Sequence, residues 1–205
     1  MQIILEKISR RFNRDWIFRD ISYTFKSGFS YAILGPNGAG KSTLLQIIAG
    51  NLTSSSGTVS YSENGRVLSI ENIYEQLSLA APYLELIEEF TLQEITDFHF
   101  KFKRYCDGMD SKKFLDVLAL KNAQHKLLKN FSSGMKQRVK LALAFCADTP
   151  VLLLDEPTAN LDQQGVDWYL SLTKKFSTNR LIIVCSNQEH EYQFCSQTLN
   201  VADYK

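Results

Sequence analysis

One glycine-rich segment constrains the fold of this chain more than any other feature. It follows an apolar run at 31–34 and precedes a helical pattern at 42–49 that Gly50 ends. Its residues are Gly35, Pro36, Asn37, Gly38, Ala39, Gly40, Lys41, Ser42 and Thr43, which match the pattern G-x-x-x-x-G-K-[ST] at every fixed position. Glycines let backbone N–H groups converge on phosphate oxygens, and the helix presents its N-terminal donors to the same anion. The segment therefore predicts a nucleotide-phosphate site in which Lys41 reaches the β- and γ-phosphates and Ser42 binds Mg²⁺.

A second apolar strand, at 151–154, ends in two acidic residues, Asp155 and Glu156. An acid at the carboxyl end of a buried strand beside a phosphate loop can hold Mg²⁺ directly or through water. Asp155 fits that role, and Glu156 is positioned to polarise the water that attacks the γ-phosphate. The pair therefore predicts a catalytic centre as well as a binding site.

The elements around these motifs indicate an α/β core with a helical insertion. Strand patterns occur at 3–8, 21–25, 30–34, 58–61, 66–70, 151–154 and 181–185. The last two are continuous apolar runs, which are typical of parallel strands buried on both faces. Between about 92 and 146 the apolar residues instead recur at helical spacing. We therefore predict a single domain, 1–205, in which residues 85–147 form an inserted helical subdomain.

Composition and charge exclude several classes of protein. Lys and Arg total 23 against 22 for Asp and Glu, and a net charge of +1 argues against a nucleic-acid binder. No apolar run approaches the roughly 20 residues of a transmembrane helix, and the N-terminus lacks the layout of a signal peptide. We therefore expect a soluble, cytoplasmic protein without a nucleic-acid partner.

The segment 131–138 separates this chain from other nucleotide hydrolases with the same two motifs. Its sequence, Phe-Ser-Ser-Gly-Met-Lys-Gln-Arg, resembles the signature of ATP-binding cassettes, usually LSGGQxQR. Residues 157–162 look like the D-loop of that family, and Phe12 lies in a segment that resembles the one carrying its adenine-stacking aromatic side chain. Thr91 and Glu94 fit the start of the family's helical insertion. The resemblance extends over residues 2–202, with its elements in the family's order.

The resemblance implies a P-loop NTPase core with an antiparallel β subdomain and an inserted helical subdomain. It also implies that ATP and Mg²⁺ bind, and that two cassettes pair head to tail. Each ATP would then lie between the P-loop of one cassette and Ser132, Ser133 and Gly134 of the other. The second cassette is either a copy of this chain or a related one. The chain looks most like small single-cassette subunits of exporters, which implies ATP hydrolysis coupled to transport by a separate permease at the inner face of the membrane.

Two positions depart from the family's pattern. Pro82 stands where cassettes commonly have a glutamine, with Gln76 nearby but out of register. Asn187 stands where the family usually has a histidine that contacts the γ-phosphate. Asn187 can donate a hydrogen bond to phosphate but carries no charge, and His190 is a second candidate for that role. A degenerate regulatory cassette with little hydrolysis therefore stays an alternative, as does a soluble ABC ATPase without a transport role.

Overall fold

Long-range packing divides the chain into two units in the computed structural model, which describes all residues from Met1 to Lys205. The first unit comprises Met1–Leu79, Pro150–Glu156 and Thr178–Lys205. The second comprises Ala80–Thr149 and Pro157–Ser177, and the predicted insertion at 85–147 falls within it.

The strands are β1 (Gln2–Phe12), β2 (Asp15–Lys26), β3 (Ser30–Leu34), β4 (Ser56–Glu63), β5 (Arg66–Leu68), β6 (Leu77–Ala80), β7 (Val151–Asp155), β8 (Leu181–Cys185) and β9 (Gln197–Asn200). The helices are α1 (Lys41–Ile48), α2 (Ile73–Gln76), α3 (Leu92–Phe102), α4 (Ser111–Leu118), α5 (Ser133–Cys146), α6 (Gln163–Phe176) and α7 (Glu189–Tyr192). None of these helices combines the length and the hydrophobicity that a membrane crossing requires.

The strands form two sheets, one antiparallel and one containing the parallel strands of the core. The antiparallel sheet has the order β2-β1-β4-β5, and the second sheet has the order β6-β7-β8-β3-β9. Every residue of β7 and β8 is buried, which explains why these strands are apolar without alternation. The predicted fold class, an α/β P-loop core with an antiparallel β subdomain, is confirmed.

Two strands of the second sheet have no clear signal in the sequence. β6 and β9 are each four residues long, and β9 buries only Leu199. β9 is held by parallel pairing with β3, from Tyr31 opposite Gln197 to Leu34 opposite Asn200. Backbone pairing therefore creates an edge strand that hydrophobic periodicity does not predict.

In the second unit, side-chain hydrogen bonds fix where the helices begin and how they pack. α3 begins at a capping box, in which the Glu94 amide donates to Thr91 Oγ1 (3.2 Å) and the Thr91 amide donates to Glu94 Oε2 (2.7 Å). At the end of α4, the Trp168 indole N–H donates to the Val117 carbonyl (2.7 Å). Arg138 donates to the Leu118 carbonyl (3.0 Å), and its guanidinium carbon lies 4.7 Å from the Trp168 ring centroid. These contacts tie α4, α5 and α6 together.

His99 is a largely buried titratable group of α3. The pKa of its imidazole is lowered to about 4, mainly by burial and in addition by the charge of Lys103, while a hydrogen bond with the Leu143 backbone opposes both effects. The pKa of an unfolded histidine is about 6.5, so below that pH the unfolded chain binds a proton that the folded chain excludes. The neutral imidazole therefore stabilises the fold fully above about pH 6.5, and this contribution is lost as the pH falls towards 4.

We expect His99→Gln to reduce the acid sensitivity of folding. Between about pH 7 and pH 4 the parent should lose roughly 2–3 kcal/mol more of its free energy of unfolding than the variant. Urea unfolding across that range measures the difference, and the exposed His125→Gln is the matched control. Equal losses for the parent and His99→Gln would contradict this assignment.

Candidate active site

Three strands of the first unit end at one edge of the parallel sheet, around Cys185. In the register of the sheet, Ile33 of β3 and Asp155 of β7 both lie beside Cys185 of β8. The Cys185 thiol is fully buried and lies 3.5 Å from the Lys41 backbone oxygen. Burial raises the pKa of that thiol, Asp155 and Glu156 raise it further, and Lys41 lowers it. Lys41 is more than a hundred residues from Asp155 and Glu156 in the sequence, yet all three charges are close enough to shift the pKa of this one buried thiol.

Gly40 sets the turn from the phosphate loop into α1. Its φ is 103°, a left-handed conformation, and it is the N-cap residue of α1. A Cβ at this position would lie 2.4 Å from Ile17 Cγ2 and 3.0 Å from Phe18 Cδ1. Only glycine fits both the dihedral angle and the space, and α1 consequently begins at Lys41 rather than at the predicted Ser42.

Lys41 crosses the loop that precedes it. Its ammonium donates to the Gly35 carbonyl (2.8 Å) and approaches the Pro36 carbonyl at 3.4 Å, and the residue is only 5% exposed. Ala39 closes the loop through its amide, which donates to the Pro36 carbonyl (3.0 Å). Because an ammonium has three N–H donors, these two contacts leave one for a ligand in the loop.

A cavity of about 240 Å³ opens against this loop. Its lining residues are Ile17, Asn37, Gly38, Gly40, Lys41, Ser42, Thr43 and Glu156. Cavities that enclose a drug-sized ligand have volumes of about 300–1,000 Å³, so this one suits a chain of phosphates rather than a whole nucleotide. Six of the predicted loop residues therefore share one cavity with the predicted catalytic acid.

Asp155 and Glu156 differ sharply in environment. Asp155 is 1% exposed, whereas Glu156 is exposed at the cavity and has a φ of 40°. The Glu156 amide donates to the Cys185 carbonyl (2.9 Å), which holds this strained backbone in place. A left-handed conformation is costly for a residue with a side chain, and such strain concentrates at functional sites.

The donors near the loop fit a hard divalent cation. Ser42 lines the cavity on α1, and Asp155 ends β7, which packs against α1. Hydroxyl and carboxylate oxygens are ligand types that Mg²⁺ accepts, and Mg²⁺ bound this way keeps waters and phosphate oxygens in its shell.

Asn187 bonds to the phosphate loop itself. Its amide nitrogen donates to Asn37 Oδ1 (2.8 Å), which links the segment after β8 to the middle of the loop. His190, the other candidate for this position, lies on α7 and does not line the cavity.

Phe12 and the signature-like segment lie outside this cavity. Phe12 ends β1 and is 46% exposed. In the second unit, Ser132 is the N-cap of α5, with its hydroxyl accepting from the Met135 amide (3.2 Å), and Ser133 is the first residue of that helix. A Cβ on Gly134 would lie 2.8 Å from the Asn160 carbonyl oxygen. This close backbone approach requires glycine at 134.

A groove of about 700 Å³ in the second unit surrounds Pro82. The ammonium of Lys140, on α5, donates to the Pro82 carbonyl (2.7 Å), and Lys136 pairs with Glu88. The groove is lined by Pro82, Leu84, Glu85, Leu86, Ile87, Glu88, Glu89, Lys136 and Lys140. The helix that begins at the signature-like segment therefore also holds the loop around Pro82.

Sequence reasoning missed two residues of this site. Ile17 lines the cavity from β2, and Cys185 lies beneath it among the charged groups. Neither belongs to a motif, and only the strand register brings Cys185 beside Asp155.

Comparison with known proteins identifies the family. A family model described as ABC transporter matches residues 18–159, which is more than half of the chain. The chain belongs to the ABC transporter family. It has the fold of an ATP-binding cassette.

Two relatives of the cassette illustrate the range of the match. The sulfate/thiosulfate import ATP-binding protein CysA of Mesostigma viride is 33% identical over 92% of this chain and 56% of the relative. The linearmycin resistance ATP-binding protein LnrL of Bacillus subtilis is 28% identical over 97% of this chain and 65% of the relative. The cassette thus spans between half and two thirds of the length of these relatives.

The fold of the cassette also matches solved structures. The ATP-binding cassette MJ0796, in a dimeric post-hydrolysis state bound to ADP and Pi, superposes with a TM-score of 0.82 at 21% identity. The match covers 97% of this chain and 93% of that one. At this identity the likeness supports the cassette fold.

We expect Gly40→Ala to unfold the loop and abolish ATP binding. The added Cβ meets Ile17 at 2.4 Å in a left-handed backbone. Gly28→Ala is the matched control, because Gly28 has a φ of 88° with no atom within 4 Å of the added Cβ. The control should cost about 1–2 kcal/mol from the backbone alone and retain ATP binding. Thermal unfolding with and without ATP measures both effects, and equal behaviour of the two variants would disprove the steric argument.

Proposed function

We propose that this cassette is the ATP-hydrolysing subunit of a membrane transporter, in which ATP binding closes two cassettes and drives a separate permease. The observation that carries the proposal is the shared cavity, where Lys41, Ser42 and Glu156 lie against one glycine-rich loop. Binding residues and a catalytic acid in one cavity are what phosphoryl transfer to water requires.

The loop residues would bind the phosphates of ATP. Backbone amides of residues 35–43 and the Lys41 ammonium would stabilise charge on the transferred γ-phosphate. Ser42 and Asp155 would hold Mg²⁺, which neutralises charge on the β- and γ-phosphates when bound. Phe12 would stack on the adenine, outside the phosphate cavity.

Hydrolysis would depend on Glu156, which is exposed at the cavity and can orient and deprotonate a water. Asn187 would donate its amide hydrogen bond near the γ-phosphate, and its contact with Asn37 puts it within reach of the loop. Because an amide cannot carry a positive charge, we expect slower turnover than with a histidine at this position.

The second nucleotide contact would come from a partner cassette. Ser132, Ser133 and Gly134 form the N-terminal end of α5, where a hydroxyl and free backbone amides can meet an anion. The head-to-tail pairing implied by the family resemblance would bring these residues to the ATP of the other subunit. That partner is either a second copy of this chain or a related cassette.

The permease would dock in the groove around Pro82, and the cassette would sit at the inner face of the cell membrane. The groove combines apolar side chains with the exposed acids Glu85 and Glu89. Lys140 and Lys136 connect it to α5, so movement of the signature-like segment would shift the docking groove. Small exporter-type subunits, which the sequence resembles, are the class of transporter subunit to which we assign the cassette in this proposal.

A regulatory cassette with little hydrolysis is the second candidate, and Asn187 and Pro82 favour it. Neither side chain supplies the group that the family usually has at these two positions. ATP would then hold two cassettes closed as a bound ligand, and its hydrolysis would not drive a transport step.

Replacing Glu156 with glutamine distinguishes a hydrolysing cassette from a regulatory cassette with little hydrolysis. We expect Glu156→Gln to lower ATP hydrolysis about 100-fold or more while leaving ATP affinity intact, because only the proton acceptor is lost. ATP-bound dimers should then accumulate in size-exclusion chromatography. The exposed Glu71→Gln is the matched control. If the parent already accumulates such dimers and hydrolyses ATP no faster than the variant, the regulatory cassette is the better interpretation.

Purification from detergent-solubilised native membranes tests the transport role. We expect a polytopic membrane protein to copurify in roughly equal amount, because two transporter halves need comparable numbers of both subunits. Charge reversal of Glu85 and Glu89 to lysine should abolish this recovery while ATP hydrolysis persists. Recovery only with soluble partners would instead support a non-transport ATPase.

A further inference from the structure

The ring of Phe12 is covered on one side by an arginine. The guanidinium carbon of Arg10 lies over this ring, 4.5 Å from its centroid. The two residues are two positions apart on β1, and side chains with that spacing point to the same face of a strand. Phe12 is nevertheless 46% exposed, so the ring still offers surface to a ligand.

Arg10 is itself held in place by the backbone of a neighbouring segment. Its Nη1 donates to the Thr53 carbonyl (2.8 Å), and its Nε is buried without a hydrogen-bond partner. The segment that carries Thr53 is bound back to β1, because the Ser55 amide donates to the Ser9 carbonyl (2.8 Å). The guanidinium therefore has a fixed position above the ring rather than the mobility of an ordinary surface arginine.

We propose that Arg10 is a positioning residue for nucleotide recognition, which holds the Phe12 ring as a preformed stacking surface for the base. The proposal rests on the proposed function, in which Phe12 contacts the adenine.

Two physical effects support this role. A side chain that is already fixed loses less conformational freedom when a ligand binds, so a preformed ring favours binding. A guanidinium over an aromatic face is attracted by the ring's electron density, and this attraction holds the ring against the arginine. With one face covered by Arg10, the base stacks on the opposite face.

If Arg10 has this role, its loss should lower the affinity for ATP, which carries the base, and not the affinity for inorganic triphosphate, which lacks it. We expect Arg10→Ala to weaken ATP binding about three- to tenfold, the scale of a cation–π contact, and to leave the affinity for inorganic triphosphate unchanged. The KM for ATP should rise while kcat stays constant, because the phosphate cavity is untouched.

A double-mutant cycle tests whether Arg10 acts through Phe12. Dissociation constants for ATP and for inorganic triphosphate are measured with Mg²⁺ on the whole chain, for Arg10→Ala, Phe12→Ala and the double variant. If Arg10 works through the ring, the double variant binds ATP no more weakly than Phe12→Ala alone. Arg10→Lys, which keeps the cation and a donor, should recover part of the lost affinity.

Arg19→Ala is the matched control for loss of charge. Arg19 is an exposed arginine of the same sheet, and its guanidinium carbon lies 5.8 Å from the Trp16 ring centroid instead. This variant should bind ATP as the parent does. Circular dichroism of all variants establishes that they are folded.

Three outcomes would overturn the proposal. Equal weakening of ATP and inorganic triphosphate by Arg10→Ala would assign Arg10 to the phosphates or to the fold. Additive losses in the double variant would show that the two residues act independently. Unchanged ATP binding by Phe12→Ala would show that Phe12 does not contact the base, and the proposal for Arg10 would fail with it. If the same variant still binds inorganic triphosphate, the proposed phosphate site is unaffected by that result.

Discussion

The parallel register of β3, β8 and β7 is the constraint on which the active site depends. It brings Ile33, Cys185 and Asp155 to one edge of the sheet, so that the phosphate loop and the acid pair meet although more than a hundred residues separate them. Asp155 is the last residue of β7, so a slip of one residue along β8 would move it away from Cys185 and turn its side chain to the other face of the sheet. The strand register therefore fixes the geometry of the proposed catalytic site.

Two left-handed backbone conformations lie where the chemistry is proposed. Gly40 is left-handed at the start of α1, and Glu156 is left-handed directly after β7. Neighbouring contacts hold both conformations. Ile17 packs against Gly40, and the Cys185 carbonyl accepts a hydrogen bond from the Glu156 amide. An isolated segment would relax, and only the surrounding fold keeps the loop and the acid aimed at the same cavity.

The two unusual positions of this cassette are both occupied by specific contacts. Asn187 bonds to Asn37 of the phosphate loop, and the Pro82 carbonyl accepts a hydrogen bond from Lys140. A backbone carbonyl is available at any residue, so the Pro82 loop can be held without a glutamine side chain. Asn187 retains a hydrogen bond but offers no charge, which limits its effect on a developing negative charge.

The sequence by itself determined the α/β fold class, the phosphate loop and the acid pair, because each follows from a local pattern of residue types. The family resemblance placed Thr91 and Glu94 at the start of the helical insertion, and the structure shows a capping box between them at the start of α3. Only the tertiary structure decided that Cys185 lies among Lys41, Asp155 and Glu156, that β9 forms an edge strand, and that Arg10 covers Phe12. These features depend on strand register and on side chains from distant segments, which no local pattern encodes.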